Sequence, residues 1–252
     1  MKIALDARFY NRETAGLGRY QHQLILNLSK IDTKNQYLVF LMKKDLADFK
    51  KEIKAKNFKP IGVDYDHYSL AEQIKFPQEL KKYQFDFIHF LNFNHPIFWQ
   101  GPYITTIHDL TLYFFPSRSR KDFIHQLAFR RIMKNAVKRS KMLIAASGRT
   151  KKDIIGLFNK DENQIQVIYE GGVDGYYRLS KKEVDSFKQK NNLKKPYLLY
   201  VGQWRPHKNL VRLVEAFIVH LNLKGKELNL KIKVQISNLA LNLVLVLYPA
   251  LW

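Results

Sequence analysis

Short apolar runs alternating with stretches of helical periodicity constrain this chain more than any other feature. The runs at 3–5, 37–42, 60–63, 85–91, 103–107, 142–146 and 165–169 read as strands. Helical stretches lie between them: one carrying Tyr20, Leu24, Leu26 and Leu28, then 45–56, 70–83 and 121–139. Another follows Thr150-x-x-Asp153, which reads as a capping box. Strands and helices in strict alternation predict an α/β fold with a doubly wound parallel sheet, ending near Asp174. In such sheets ligands bind outside the carboxyl ends of the strands.

A second βα series opens at 197. Residues 197–201 predict a buried parallel strand running into Gly202, and Leu210, Leu213, Val214 and Phe217 predict a helix starting near Lys208. Arg205, Pro206, His207 and Lys208 stand between them. Free N–H groups and the helix dipole favour a phosphate at such a point, and Lys208 adds a full charge. An ordinary β-α turn with solvated basic residues fits the same letters. The expected organisation is a first domain at 1–175, a connecting segment at 176–196 with one short helix, and the start of a second domain at 197–252. After Phe217 come a basic strand-like stretch at 228–236 and an apolar tail, NLALNLVLVLYPALW. A second domain of this type takes on the order of 150 residues, and about a third of that follows residue 197. The simplest expectation is a truncated or frame-shifted product.

Composition narrows the partners. Lys and Arg number 43 against 22 Asp and Glu, a net charge of +21 over 252 residues. That field attracts nucleic acid, anionic lipid or phosphorylated substrates, and a compositional habit of the genome explains it equally well. The absence of cysteine excludes disulfides, thiolate zinc sites and cysteine nucleophiles. The N-terminal apolar run is too short for a signal peptide, and no run reaches the roughly 20 residues that span a bilayer. The expected location is cytoplasmic.

Several constellations stand at strand ends. Gly16-Leu17-Gly18 follows a strand and opens a helix, but Gln21 occupies the third-glycine position of a dinucleotide fingerprint, which disfavours nicotinamide cofactors. His108-Asp109 ends a buried strand, where it is placed to orient a hydroxyl, hold a proton, or serve structure alone. Glu162 and Glu170 share an E-x7-E spacing best ascribed to chance, and Asp64-x-Asp66 stands without other metal-site features. His89 and His95 lack a third ligand. Around the helix at 121–139, Arg118, Arg120, Lys121, Arg130, Arg131, Lys134, Lys138, Arg139 and Lys141 crowd together, with Ile124, Leu127, Ala128, Ile132 and Ala136 as the expected apolar stripe. A solvated outer face and docking on an anionic membrane both fit; no nucleic-acid-binding module accompanies the charge.

The segment VGQWRPHKNLVRLVEAF resembles the motif that opens the second domain of retaining nucleotide-sugar glycosyltransferases of family 4. There a G-x-x-x-P-x-K-N-L loop grips the donor diphosphate between two Rossmann-like domains, the GT-B fold. Gly202, Pro206, Lys208, Asn209 and Leu210 match it; Gln203 stands where many relatives carry Arg, and Arg205 is the candidate to replace that cation. Asp6-Ala7-Arg8 with Gly16-x-Gly18-Arg19-Tyr20 resembles the family's first motif, and His108-Asp109 its H-D-x motif. Ser147-Gly148-x-Thr150 and the segment from Tyr169 to Asp174 are similar to later landmarks of its first domain. The resemblance covers 1 to about 217. It implies a complete N-terminal Rossmann-like sheet plus a fragment of the second. It also implies sugar transfer, mannosyl by the P-H-K-N-L form, from a nucleoside diphosphate sugar to a glycan or lipid-linked acceptor. No metal or other cofactor is implied. The implied catalytic residues are His108 and Asp109; Gly16, Gly18, Arg205 and Lys208 would bind the donor diphosphate. A non-catalytic anion-binding fragment is the alternative.

Overall fold

The computed structural model describes residues 1–11, 15–116, 120–171, 177–191, 193, 198–203, 205–223, 230–237 and 242–249. The chain divides into two compact units, Met1–Gly172 and Val173–Trp252.

In the first unit the strands are β1 (Lys2–Asp6), β2 (Gln36–Met42), β3 (Phe58–Val63), β4 (Phe87–Phe90), β5 (Tyr103–Ile107), β6 (Met142–Ala145) and β7 (Ile165–Val167). The helices are α1 (Ala15–Ile31), α2 (Leu46–Glu52), α3 (Leu70–Leu80), α4 (Thr111–Phe114), α5 (Arg120–Arg139) and α6 (Gly148–Phe158). The seven strands are ordered β3-β2-β1-β4-β5-β6-β7, and every pairing is parallel. Period-two alternation sorts the side chains onto two faces. Ala4, Leu38, Phe40, Ile88 and Phe90 pack with Phe76 and Leu80 of α3. Leu5, Tyr37, Val39, Leu41 and Leu91 pack on the other face with Ile25 of α1 and Phe49 of α2. Helices on both faces make the sheet doubly wound, as the alternation predicts.

The strand order reverses between β1 and β4. The chain runs outward from β1 to β3, then returns to lie beside β1. Such a switch point opens a crevice at the carboxyl edge, because consecutive loops leave on opposite faces.

Two local expectations change. The capping residue of α6 is Ser147, whose side chain accepts the Thr150 N–H, so Thr150 lies inside the first turn. β6 ends at Ala145, which leaves Ser147 in extended backbone, the conformation an N-cap needs. In α5 the core-facing stripe is Phe129, Ile132, Met133, Ala136 and Val137, whereas Ile124, Leu127 and Ala128 are exposed. Both stripes have helical spacing; packing against Ile107 of β5, Leu143 of β6 and Ile154 of α6 selects the second.

The second unit contains α7 (Lys181–Lys190), β8 (Leu198–Gln203), α8 (Leu210–Leu223), β9 (Leu230–Ser237) and β10 (Asn242–Pro249). α7 opens with a reciprocal capping box between Ser180 and Glu183. β8 is not the buried parallel strand that its apolar run predicts. It pairs antiparallel with β10, and Leu199 and Val201 are exposed. On its other side Tyr200 packs with Leu210, Leu213, Val214 and Phe217 of α8. Strand direction follows from the partner, and β10 also pairs antiparallel with β9.

Candidate active site

The crevice at the switch point is built by the ends of β1, β4, β5 and β7 and the start of α1. His108 follows β5 directly, and both of its ring nitrogens are engaged. Nε2 lies 3.0 Å from the carbonyl oxygen of Leu91, just past β4, and Nδ1 lies 2.6 Å from Oε1 of Glu170, beyond β7. A carbonyl only accepts, so Nε2 carries a hydrogen; a further proton is then shared between Nδ1 and Glu170. Hydrogen bonding to His108 holds the Glu170 carboxyl below its usual range, against an opposing effect of burial. The main chain is fixed too: Thr150 Oγ1 donates to the His108 carbonyl at 3.0 Å.

Tyr20, near the start of α1, covers the ring edge-on at a centroid distance of 4.7 Å. Its hydroxyl meets Thr106 Oγ1 at 3.1 Å, and that oxygen meets His89 Nε2 at 2.8 Å. Burial, then the nearby His108 charge, pushes His89 down to about 3, so it is a neutral structural histidine. Burial also raises Tyr20, which therefore stays a neutral hydroxyl. Gly16 and Gly18 lie in the first turn of α1, Gly16 exposed and Gly18 buried. A Cβ on Gly16 would meet nothing within 4 Å, so internal packing does not demand a glycine there.

The Asp6-Ala7-Arg8 segment is structural in this arrangement. Arg8 bonds both oxygens of Asp6 at 2.8 Å and Oε1 of Glu72 at 2.6 Å, all three residues being buried. Burial alone would lower the guanidinium pKa; the two carboxylates reverse that and raise it. Glu72 also accepts from Asn94 Nδ2 and from the Tyr68 N–H, tying α3 to the loops after β1 and β4.

The structure brings Gly16, Gly18 and His108 to one sheet edge. Asp109 is exposed, and its Oδ1 accepts the Thr111 N–H at 2.8 Å, so its visible role is to start α4. Among the described residues the partner of the His108 ring is Glu170, not Asp109. In the sequence Glu170 reads as one half of a chance spacing and, without a role of its own, as part of the 169–174 segment similar to a landmark of the family; its place after β7, on the same edge as His108, is the signal that finds it. Glu162 forms an ion pair with Lys151 at 3.0 Å. No group of three or more His, Asp or Glu among the described residues is placed to hold a metal ion.

In the second unit, Pro206–Lys208 form a 3-10 turn, and α8 begins at Leu210 rather than near Lys208. Asn209 between them takes left-handed backbone, φ 53°, which Asn tolerates better than most residues. The Lys208 N–H donates to the Arg205 carbonyl at 2.9 Å, so that donor is already used. The Arg205 and Lys208 side chains are both exposed.

The family model described as Glycosyltransferase Family 4 matches residues 15–174. The chain belongs to that family. This family 4 chain is 32% identical over 105 residues to the O-antigen chain mannosyltransferase RfbU of Salmonella typhimurium, covering 42% of this chain and 26% of that protein. It thus spans about a quarter of the length of that curated relative. Among solved structures it is similar to Anabaena HepE in complex with UDP-glucose, with a TM-score of 0.46 and 16% identity over 76% of this chain and 50% of the other. A UDP-GlcNAc 2-epimerase from Methanocaldococcus jannaschii gives a TM-score of 0.38 and 13% identity, covering 67% and 45%.

Proposed function

We propose that this chain carries the first-domain half of a site that moves a sugar, mannose in the reading we favour, from a nucleoside diphosphate donor to a glycan or lipid-linked acceptor. The observation that carries the proposal is the family match over 15–174, which contains Gly16, Gly18, Tyr20, His108, Thr150 and Glu170. The likeness to RfbU, a mannosyltransferase by name, and the P-H-K-N-L segment support mannose.

Chemistry of this type asks two things of a protein: a fixed place for the sugar and stabilisation of the departing diphosphate. His108 meets the first as a rigid group, since its ring is held on both nitrogens and its carbonyl is held by Thr150. Nε2 spends its hydrogen on the Leu91 carbonyl and Nδ1 is held by Glu170, so no ring nitrogen is open to take a proton from a substrate, and the ring positions rather than serving as a base. Gly16 leaves open space in which a phosphate approaches backbone. Within the second unit, described by itself, Arg205 and Lys208 are exposed cations of the kind that a diphosphate meets.

Calorimetric titration of the 252-residue chain with GDP-mannose, UDP-glucose and the matching nucleosides tests this. Binding that requires the diphosphate is expected. Absence of binding at millimolar ligand, or affinity indifferent to the phosphates, overturns the proposal.

A further inference from the structure

The loops after β1, β3 and β4 meet at the carboxyl edge of the sheet, and one residue among them holds an unusual backbone. Tyr68, between β3 and α3, takes φ 60°, in the left-handed region. Asn159 and Asn209 share that region, which suits asparagine; an aromatic residue there is strained. The strain is held from two ends. The Tyr68 N–H donates to Oε2 of buried Glu72 at 2.8 Å, and the Tyr68 hydroxyl accepts from Asn92 Nδ2 at 3.4 Å. In the loop after β1, Phe9 stacks on His67 at 3.5 Å. The Phe9 and Phe93 rings lie 6.3 and 6.1 Å from that of Tyr68, which is nevertheless 57% exposed. Asn92 follows Leu91, whose carbonyl holds His108, so consecutive residues of one loop steady Tyr68 and His108.

Strain that the surroundings over-determine points to what the residue does, and a ring more than half exposed contributes little to the core. What it offers is a flat apolar face with a polar tip. Burial of that tip raises the Tyr68 pKa, so the hydroxyl stays protonated, and its hydrogen has no acceptor among the described residues. A pyranose ring matches both halves, with C–H groups on a face and hydroxyls at the rim. An acyl chain would leave the O–H unpaired. A phosphate would meet no net positive charge, because the adjoining buried group sets one guanidinium, Arg8, against the carboxylates of Asp6 and Glu72.

We propose that the exposed ring of Tyr68 is a saccharide subsite: a pyranose ring stacks on its face, and the phenolic O–H donates to one of the sugar hydroxyls. Naming that saccharide as the one that receives the transferred sugar rests on the sugar-transfer reading. Tyr68 then selects an acceptor by its glycan rather than by a lipid chain, and the strained backbone keeps the ring presented before any ligand arrives.

Aromatic NMR of the full 252-residue chain, titrated with mannobiose, with maltose and with octyl phosphate in the absence of any nucleotide, is the test. A disaccharide is expected to bind at millimolar concentration and to move the Tyr68 ring signals, which Tyr68→Phe assigns. Tyr68→Phe keeps the ring and should retain most of the affinity. Tyr68→Asn removes the ring and should weaken binding about tenfold. Asparagine accepts the backbone, so the urea midpoint of Tyr68→Asn should not fall, whereas a residue serving structure alone would lower it. The wild-type ring shift decides the matter even where a variant does not fold. Three results overturn the proposal: no binding of either disaccharide, binding that leaves the Tyr68 ring signals unmoved, or a shift from octyl phosphate alone, which would assign the ring to a lipid chain. Nucleoside diphosphate sugar binding without disaccharide binding removes this subsite and keeps the sugar-transfer reading; the converse keeps the subsite and removes that reading.

Discussion

Glu170 Oε1 stands 2.6 Å from His108 Nδ1, joining residues that are 62 positions apart and leave the sheet after β7 and β5. The bond depresses the Glu170 carboxyl, and the sign of its effect on stability follows. A carboxyl with a lowered folded pKa stabilises the fold fully above its unfolded value, about 4.3 for glutamate, and loses that contribution as pH falls through the folded value. Wild type should therefore exceed Glu170→Gln in urea midpoint near pH 6, and the difference should shrink steadily below about pH 4. A difference that does not depend on pH would mean that the stability lost with Glu170 does not come from its depressed carboxyl.

The buried Asp6–Arg8–Glu72 cluster makes a second, larger effect. Truncating one member of a buried ion pair leaves uncompensated charge, which costs about 3–5 kcal/mol. Glu72→Ala should lose stability on that scale, since the side chain is fully buried and holds Arg8, Asn94 and Tyr68 together. Urea denaturation measures it. A loss below about 1 kcal/mol would place the cluster with surface pairs in its energetics.

The N-cap of α6 is a third test. Ser147→Ala should cost about 1 kcal/mol, the usual value of a lost cap. Thr150→Ser keeps the hydroxyl that bonds the His108 carbonyl and should cost less. The reverse order would restore Thr150 as the cap.

These cases divide what is legible in a sequence from what is not. All seven strands of the first unit are readable, because a short apolar run bounded by turn residues has few other uses. The choice between Ser147 and Thr150 is not, since both residue types cap helices and the decision depends on where β6 stops. In α5 two apolar stripes overlap, and only the neighbours of the helix reveal which is inner. The Glu170–His108 bond depends on strand order, which no local spacing encodes. The direction of β8 is set by β10, far along the chain, because an apolar run marks a buried strand without fixing the sense of its partner. Gly16, Gly18 and His108 are legible as edge residues because each directly follows or opens an element.

A fourth prediction concerns Lys208. Its backbone donor is taken by Arg205, so any grip on a diphosphate rests on the exposed ammonium group. A charge-assisted contact is worth about 1.5–3 kcal/mol, so Lys208→Ala should weaken nucleoside diphosphate binding by about ten- to a hundred-fold. Nucleoside binding should be unchanged. An equal loss for both ligands would assign Lys208 to holding the loop in shape.

The central claim is that the crevice around His108 receives the donor sugar. Aromatic NMR of the 252-residue chain, with signals assigned through Tyr20→Phe and His108→Gln, tests it most directly. Titration with a nucleoside diphosphate sugar should move the His108 and Tyr20 ring signals, and the same nucleoside diphosphate without its sugar should move them much less. Identical shifts from both ligands, or no shift at either ring while ligand binds, would contradict the account.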